Sequence, residues 1–79
     1  MSPKLPLCSS HQIVAALKRL GFVKGPVGTG SHQSFYRCRG EKKDITTVVL
    51  GKKEVPRPTL DGILKLAHVS RAEFLKHLK

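Results

Sequence analysis

Tryptophan is absent, and aromatic residues amount to three Phe and one Tyr in 79 residues. A chain this short buries only about 60% of the surface it exposes when unfolded, which excludes an enzyme with a separate cofactor domain. Acidic residues are nearly as scarce: Glu41, Asp44, Glu54, Asp61 and Glu73 are all there are. They are spread over a hairpin connection, a loop and capped helices. Paired-carboxylate or two-metal phosphodiester chemistry needs two or three acids converging on one ion, and this supply is thin. Long apolar runs are missing too. The best strand-like run, Ile45 to Leu50, is far short of the roughly 18 residues of a membrane span. Met1 to Cys8 holds two prolines and no apolar run of signal-peptide length, so the expectation is a soluble, cytoplasmic protein with no membrane partner.

Cysteine is limited to Cys8 and Cys38, which form no CxxC pair, and free thiols are expected. Together with His11 and His32 they supply four metal-ligating side chains. Their spacing, C-x2-H followed by H-x5-C, matches no standard zinc knuckle. No metal and no cofactor are expected. Gly28-Thr29-Gly30 resembles half a phosphate-cradling loop but leads into a strand, without the helix end that gives nucleotide motifs their dipole. No serine sits in a GxSxG elbow.

What the chain has in excess is positive charge. Fifteen Lys and Arg give a formal net charge of +10 with His neutral. Such a surplus points to a polyanionic partner, because phosphate contacts release counterions and raise affinity for any nucleic acid. The apolar and charged shares, 39% and 25%, are those of an ordinary globular chain.

Residues 1–8 read as a flexible, proline-bearing lead, and residues 9–79 as one domain. Ser9 and Gln12 form a capping-box pattern, and Ile13, Ala16, Leu17 and Leu20 make the buried stripe of a first helix that Gly21 ends. A weak edge strand is expected over 22–27, interrupted by Gly25-Pro26. A mixed strand follows from His32 to Cys38, then a charged connection over 39–44. Ile45 to Leu50 is the strongest strand, being β-branched up to its last residue. Thr59 is expected to cap a second helix with the stripe Leu60, Ile63, Leu64 and Ala67, and Ser70, with Glu73, a third. Phe74, Leu75 and Leu78 should face inward. The stripes leave Leu17, Leu20, Val48, Ile63, Leu64, Phe74 and Leu75 mostly buried.

Among the four histidines, His11 and His77 read as surface residues and His68 as a packing or capping group between helices. His32 differs. It follows a glycine turn at the mouth of a strand, with Ser31 and Gln33 beside it and Lys24 and Arg37 expected nearby. Imidazole as a class titrates near neutrality, so such a side chain can take a proton from a ribose 2′-hydroxyl or give one to a leaving oxygen without a metal. A polar strand-start histidine with no catalytic role fits the bare residue as well.

Gly21-Phe22, Gly30-Ser31-His32 and Thr59-Leu60-x-x-Ile63-Leu64-Lys65-x-Ala67, with Phe74 further on, resemble the HicA (YcfA-like) family of small toxins from toxin–antitoxin modules. The likeness covers roughly residues 9–78. It implies an α+β fold like a double-stranded-RNA-binding domain, α-β-β-β-α, with a three-stranded antiparallel sheet packed on helices. It also implies an mRNA endoribonuclease whose single catalytic histidine is His32, neutralised by a HicB-type antitoxin that is expected to be acidic. Two places depart from the family pattern. Val49-Leu50-Gly51 stands where a Pro-x-His element is common, and Pro58-Thr59-Leu60 replaces Gly-Thr-Leu. Lys18, Arg19, Lys24, Ser31, Arg37, Lys42 and Lys43 are the residues expected to hold RNA. The competing expectation is a non-catalytic RNA-binding module on the same fold, which would recognise A-form shape and have no need of His32.

Overall fold

The computed structural model describes residues 4–28 and 30–78. Helix α1 (Ser10–Arg19) starts as its sequence dictates. Ser9 Oγ accepts the Gln12 N–H at 3.1 Å, and Gln12 Oε1 accepts the Ser9 N–H at 2.9 Å. Two of the helix's unpaired donors are thereby satisfied, an arrangement of which the cap alone contributes about 1 kcal/mol. After Leu20 the chain leaves the helix through Gly21 at φ +98°, a conformation that costs glycine little.

Strands β1 (Val23–Val27), β2 (His32–Arg39) and β3 (Lys42–Val49) form an antiparallel sheet in that order. The charged connection expected over 39–44 is far tighter than its composition implied. Arg39 pairs with Lys42, and Gly40 and Glu41 alone make the turn. Gly40 takes φ +59° at the first central position, where two-residue hairpins of the II′ class require glycine. Residues 42–44 therefore belong to β3, and Asp44 lies inside the sheet. In β1 the Gly25-Pro26 interruption is a bulge between Lys24 and Val27.

Alternation separates the two sheet faces. Gln33 and Phe35 of β2, with Asp44, Thr46 and Val48 of β3, are buried beneath the helices. His32, Ser34 and Tyr36, with Ile45 and Thr47, occupy the other face, which no helix covers. Helix α2 (Arg57–Ala67) lies along β3, and Thr46 Oγ1 donates to Ile63 O at 2.8 Å to fix its rotation. Thr59 does not cap it. The helix begins three residues earlier, with Pro56 at the N-cap, because a first turn tolerates prolines that lack an N–H and hold φ near the helical value. His68 ends α2 in the left-handed conformation, φ 56°, as a C-cap.

Ser70 caps α3 (Arg71–His77), accepting the Glu73 N–H at 3.1 Å; its own hydroxyl faces the Glu73 carboxylate. Leu17, Val48, Ile63, Leu64 and Phe74 are buried as expected, while Leu20 and Leu75 pack against the core from its rim. Burying each large side chain in this core contributes roughly 1.5–3 kcal/mol.

Residues 4–8, expected as part of a flexible lead, instead lie against the domain; residues 1–3 fall outside the described residues. Leu5 and Cys8 are buried, Val55 N–H donates to Cys8 O at 2.7 Å, and Arg57 Nε donates to Leu5 O at 2.6 Å. Pro6 restricts the path that lets those carbonyls meet the 52–57 loop.

Candidate active site

His32 is the first residue of β2 and is exposed on the open face of the sheet. Its position is set by the turn before it and the strand beside it. Gly30 turns the chain at φ +62°. Gly28 N–H donates to His32 O at 2.9 Å, and a Cβ on Gly28 would lie 3.2 Å from His32 O and 3.4 Å from His32 Cβ. A side chain at 28 would push on the histidine directly. Leu50 N–H donates to Ser31 O at 2.9 Å, which extends the β2–β3 ladder past the strand ends and puts His32 opposite Val49. Such directly opposed residues hold their side chains within about 5 Å on one face.

Both helix N-termini gather at this end of the sheet. Buried Ser10, the first residue of α1, donates to Val49 O at 2.6 Å and accepts the Lys52 N–H at 3.1 Å. The 52–57 loop runs from there into α2. Neither helix has an acidic residue in its first turn; the acid nearest the start of α2 in the chain is Glu54, two residues before its N-cap. Lys52 and Lys53 are exposed here. Sequence reasoning missed both. The signal was available, since strands of equal length joined by a short turn must bring the residues after β3 beside the residues before β2.

The expected RNA-holding residues divide between two ends. Ser31 adjoins His32, and Lys24 lies on the neighbouring strand. Lys18 and Arg19 close α1, and Lys42 and Lys43 open β3, all at the far end. Arg37 is five residues from His32, roughly 17 Å along the strand, and points to the helix-packed face. Arg19 donates to His77 O at 2.9 Å, and Lys43 Nζ sits 4.7 Å over the Tyr36 ring on the open face.

The far end is organised by Asp44, only 2% exposed. Arg39 grips its carboxylate with Nε at 2.6 Å and Nη2 at 3.0 Å. Arg37 adds Nη2 at 3.0 Å, and His68 Nδ1 lies 2.9 Å from Oδ1. Arg37 is also stacked 4.6 Å over the Phe22 ring and bonds Leu20 O, which ties α1 into the network. The hydrogen bonds from Arg39, then Arg37 and His68, outweigh burial and hold the Asp44 carboxyl far below the usual carboxylate range. A carboxylate so engaged is poorly suited to exchanging protons. Asp61 is likewise lowered, by Lys65 and then Arg71, on the far side of α2.

The four metal-ligating types do not converge. Cys8 is buried beneath the 52–57 loop, where burial pushes its thiol pKa up, and Cys38 is exposed near the hairpin. Among the described residues no three His, Cys, Asp or Glu side chains assemble into a metal-binding group. No helix of the described residues is long and apolar enough to cross a membrane.

A comparison with curated proteins finds no match. A family model described as HicA toxin of bacterial toxin-antitoxin matches residues 10–69, from the first residue of α1 to just beyond α2. That span holds Gly28, His32, Asp44 and the whole sheet, and leaves α3 outside. With the helix–sheet order and a glycine-held histidine in the matched region, the chain belongs to the HicA toxin family and is the toxin component of a bacterial toxin–antitoxin module.

Proposed function

We propose that this toxin is a metal-independent endoribonuclease that cuts mRNA with His32. The observation that carries the reading is the placement of His32: exposed on an uncovered sheet face, yet held by Gly28 and by its pairing with Val49. A histidine with a purely structural role has no need of an exposed site built to that tolerance.

In the proposed reaction the ribose 2′-oxygen attacks the adjacent phosphorus while His32 removes its proton. The bond from phosphorus to the 5′-oxygen breaks, a 2′,3′-cyclic phosphate forms, and the departing 5′-oxygen takes a proton from solvent water at this exposed site. The phosphorane-like transition state gains negative charge, which the positive ends of α1 and α2 and the nearby Lys52 favour, whereas Lys24, paired with Phe35, lies towards the helix-packed face. Ser31 is within reach of the same phosphate. Lys18, Lys42 and Lys43 hold the flanking RNA at the far end. Arg19 and Arg37 have their guanidinium groups engaged with His77 O and Asp44, so any RNA contact they make is secondary to shaping that end.

The partner that neutralises such a toxin would be a HicB-type antitoxin with an acidic surface, steered by the +10 charge and covering His32. The site of action is the cytoplasm, where mRNA is. The test is incubation of the purified protein with an unstructured RNA in EDTA. Cleavage by the parent and none by His32→Ala supports the reading. RNA that is bound but left intact by the parent supports the non-catalytic RNA-binding module instead.

A further inference from the structure

We infer that the cleft between β3 and the start of α2 is a binding pocket for the nucleobase beside the cut, and that Glu54 sets which base it accepts. The inference rests on the endoribonuclease reading for its place in a reaction, and on the cleft's own geometry for its ligand. The cavity measures about 410 Å³. Ligand sites run from about 300 to 1,000 Å³, so a single nucleotide fits and a folded RNA element does not. Val49, Val55 and Ile63 give it apolar walls, and Thr47, Lys52, Glu54 and Thr59 line it with polar groups. Apolar walls with a few polar groups are what an unstacked base requires, since single-stranded RNA is read by splaying bases into pockets that bond their edges.

Three features tie this cleft to His32. Val49 forms its wall and is the residue directly opposite His32. Thr47, a second wall residue, is paired with Ser34, so its side chain lies on the same open face as the histidine. The ladder also orients its backbone. Leu50 N–H bonds Ser31 O, and in this register the ladder bonds of β3 fall on Val48 and Thr46. The N–H and C=O of Thr47 therefore face away from β2, at the free edge beside the cleft. A base there has backbone as well as side-chain partners, one strand spacing from the proposed catalytic group.

The cleft is also held open. Ser10 bonds both Val49 O and the Lys52 N–H, and Val55 N–H bonds Cys8 O, so the loop beneath the cavity is anchored at both ends. Glu54 is the informative residue. In a chain of +10, an acid at the RNA-cutting end works against phosphate binding. Unlike Asp44 and Asp61, it forms no ion pair among the described residues. A carboxylate there can accept from the exocyclic amino group of cytosine, or from the N1 and N2 hydrogens of guanine. On uracil it meets a single donor, N3–H, set between two carbonyl oxygens that repel it.

Two measurements on the full chain test this. Mapping the ends produced from a mixed-sequence RNA should show the parent favouring an amino-bearing base beside the cut. Glu54→Gln should reduce that discrimination, read as a ratio of kcat/KM between sites, by about tenfold, and Thr59→Val should reduce it less. A parent with no base preference, or Glu54→Gln with the parental ratio, overturns the inference while leaving RNA cleavage established. The second measurement needs no cleavage. Titration with the four ribonucleoside 3′-monophosphates should shift the amide resonances of Thr47, Val49 and Val55, with CMP or GMP strongest and the order flattened in Glu54→Gln. Shifts spread over the lysines with none in the cleft overturn it. If RNA is not cut but these amides respond, the pocket stands and the endoribonuclease reading falls.

Discussion

The two ends of the β2–β3 ladder are built on opposite physical principles. At one, Asp44 is buried and fully engaged: Arg37, Arg39 and His68 converge on one carboxylate and bind α1, the hairpin and α2 together. At the other, His32 is exposed, flanked by glycines, and close to helix ends and lysines whose positive charge has no acidic residue set against it in the first turns. A satisfied buried network resists change and gains little from a ligand. An under-neutralised exposed end is a place where a polyanion completes the electrostatics. On the proposed function, the molecule separates a stabilising end from a reactive one.

The largest expected effect belongs to the reactive end. His32→Ala should lower RNA cleavage by roughly 100- to 10,000-fold, the range for loss of a positioned acid or base. Because the side chain is exposed, the melting temperature should stay near the parent's, within the span of surface substitutions, about 0.5 kcal/mol. Cleavage and melting measured on the same preparation check the division. A variant that melts far below the parent would make His32 structural and break the contrast.

Asp44→Ala should do the reverse. Removing one partner of a buried pair leaves the others uncompensated, so the melting temperature should fall by roughly 10 °C or more. Below that temperature, cleavage per folded molecule should remain. The effect has a pH signature with a definite sign. A carboxyl whose native pKa lies below its unfolded value stabilises wherever the unfolded state would be ionised, above about pH 4. That contribution fades as pH falls through the native value. The melting difference between the parent and Asp44→Asn should therefore be constant from pH 7 to about 5 and close in acid. A gap that widens on acidification would show that Asp44 is not the hub.

The same division explains what could be read in the sequence. Local rules carried the helices: Ser9 with Gln12, the stripes of α1 and α2, and Ser70 each depend on neighbours within one turn. The Gly30-Ser31-His32 element was visible for the same reason, being three consecutive residues. Asp44 was not, because its partners come from a facing strand and from the end of α2. Placed in the loop, as charge content suggests, it is one more solvated acid. Only the register Arg37↔Asp44, created by the two-residue turn at Gly40, brings it inside. The cations followed suit. Lys42 and Lys43 look like part of one loop and Lys52 like part of another, until pairing sends the first two far from His32 and brings the third close.

Gly28→Ala probes how finely the reactive end is held. The added methyl would sit 3.2 Å from His32 O and 3.4 Å from His32 Cβ, so the strand start must shift by a few tenths of an ångström. Misplacement by 1 Å can cost about 100-fold, and a shift of this smaller size should lower kcat about tenfold with little change in melting. Gly30, whose added methyl would meet nothing within 4 Å, is the control for space, though its φ of +62° adds backbone strain of its own. Parental kcat in Gly28→Ala would mean that the histidine tolerates displacement and that the glycine serves the turn alone.

The smallest effects compare single lysines at the two ends. Each phosphate contact with single-stranded RNA contributes about 0.7 to the slope of log affinity against log salt. Lys42→Ala at the far end and Lys52→Ala near His32 should each flatten that slope by about that amount, provided each meets one phosphate. The loss of affinity should be modest and should shrink as salt rises, because the released counterions matter less in a concentrated salt solution. On affinity, then, the two variants should look alike. They should part on the rate at which bound RNA is cut. A cation near the reacting phosphate stabilises charge that grows in the transition state, whereas one at the hairpin end favours bound substrate and transition state equally. Single-turnover cleavage at saturating protein isolates that step: Lys52→Ala should be slower than the parent, and Lys42→Ala should match it. Equal rates for all three proteins would place Lys52 outside the reaction and confine the reactive end to His32 and the helix termini.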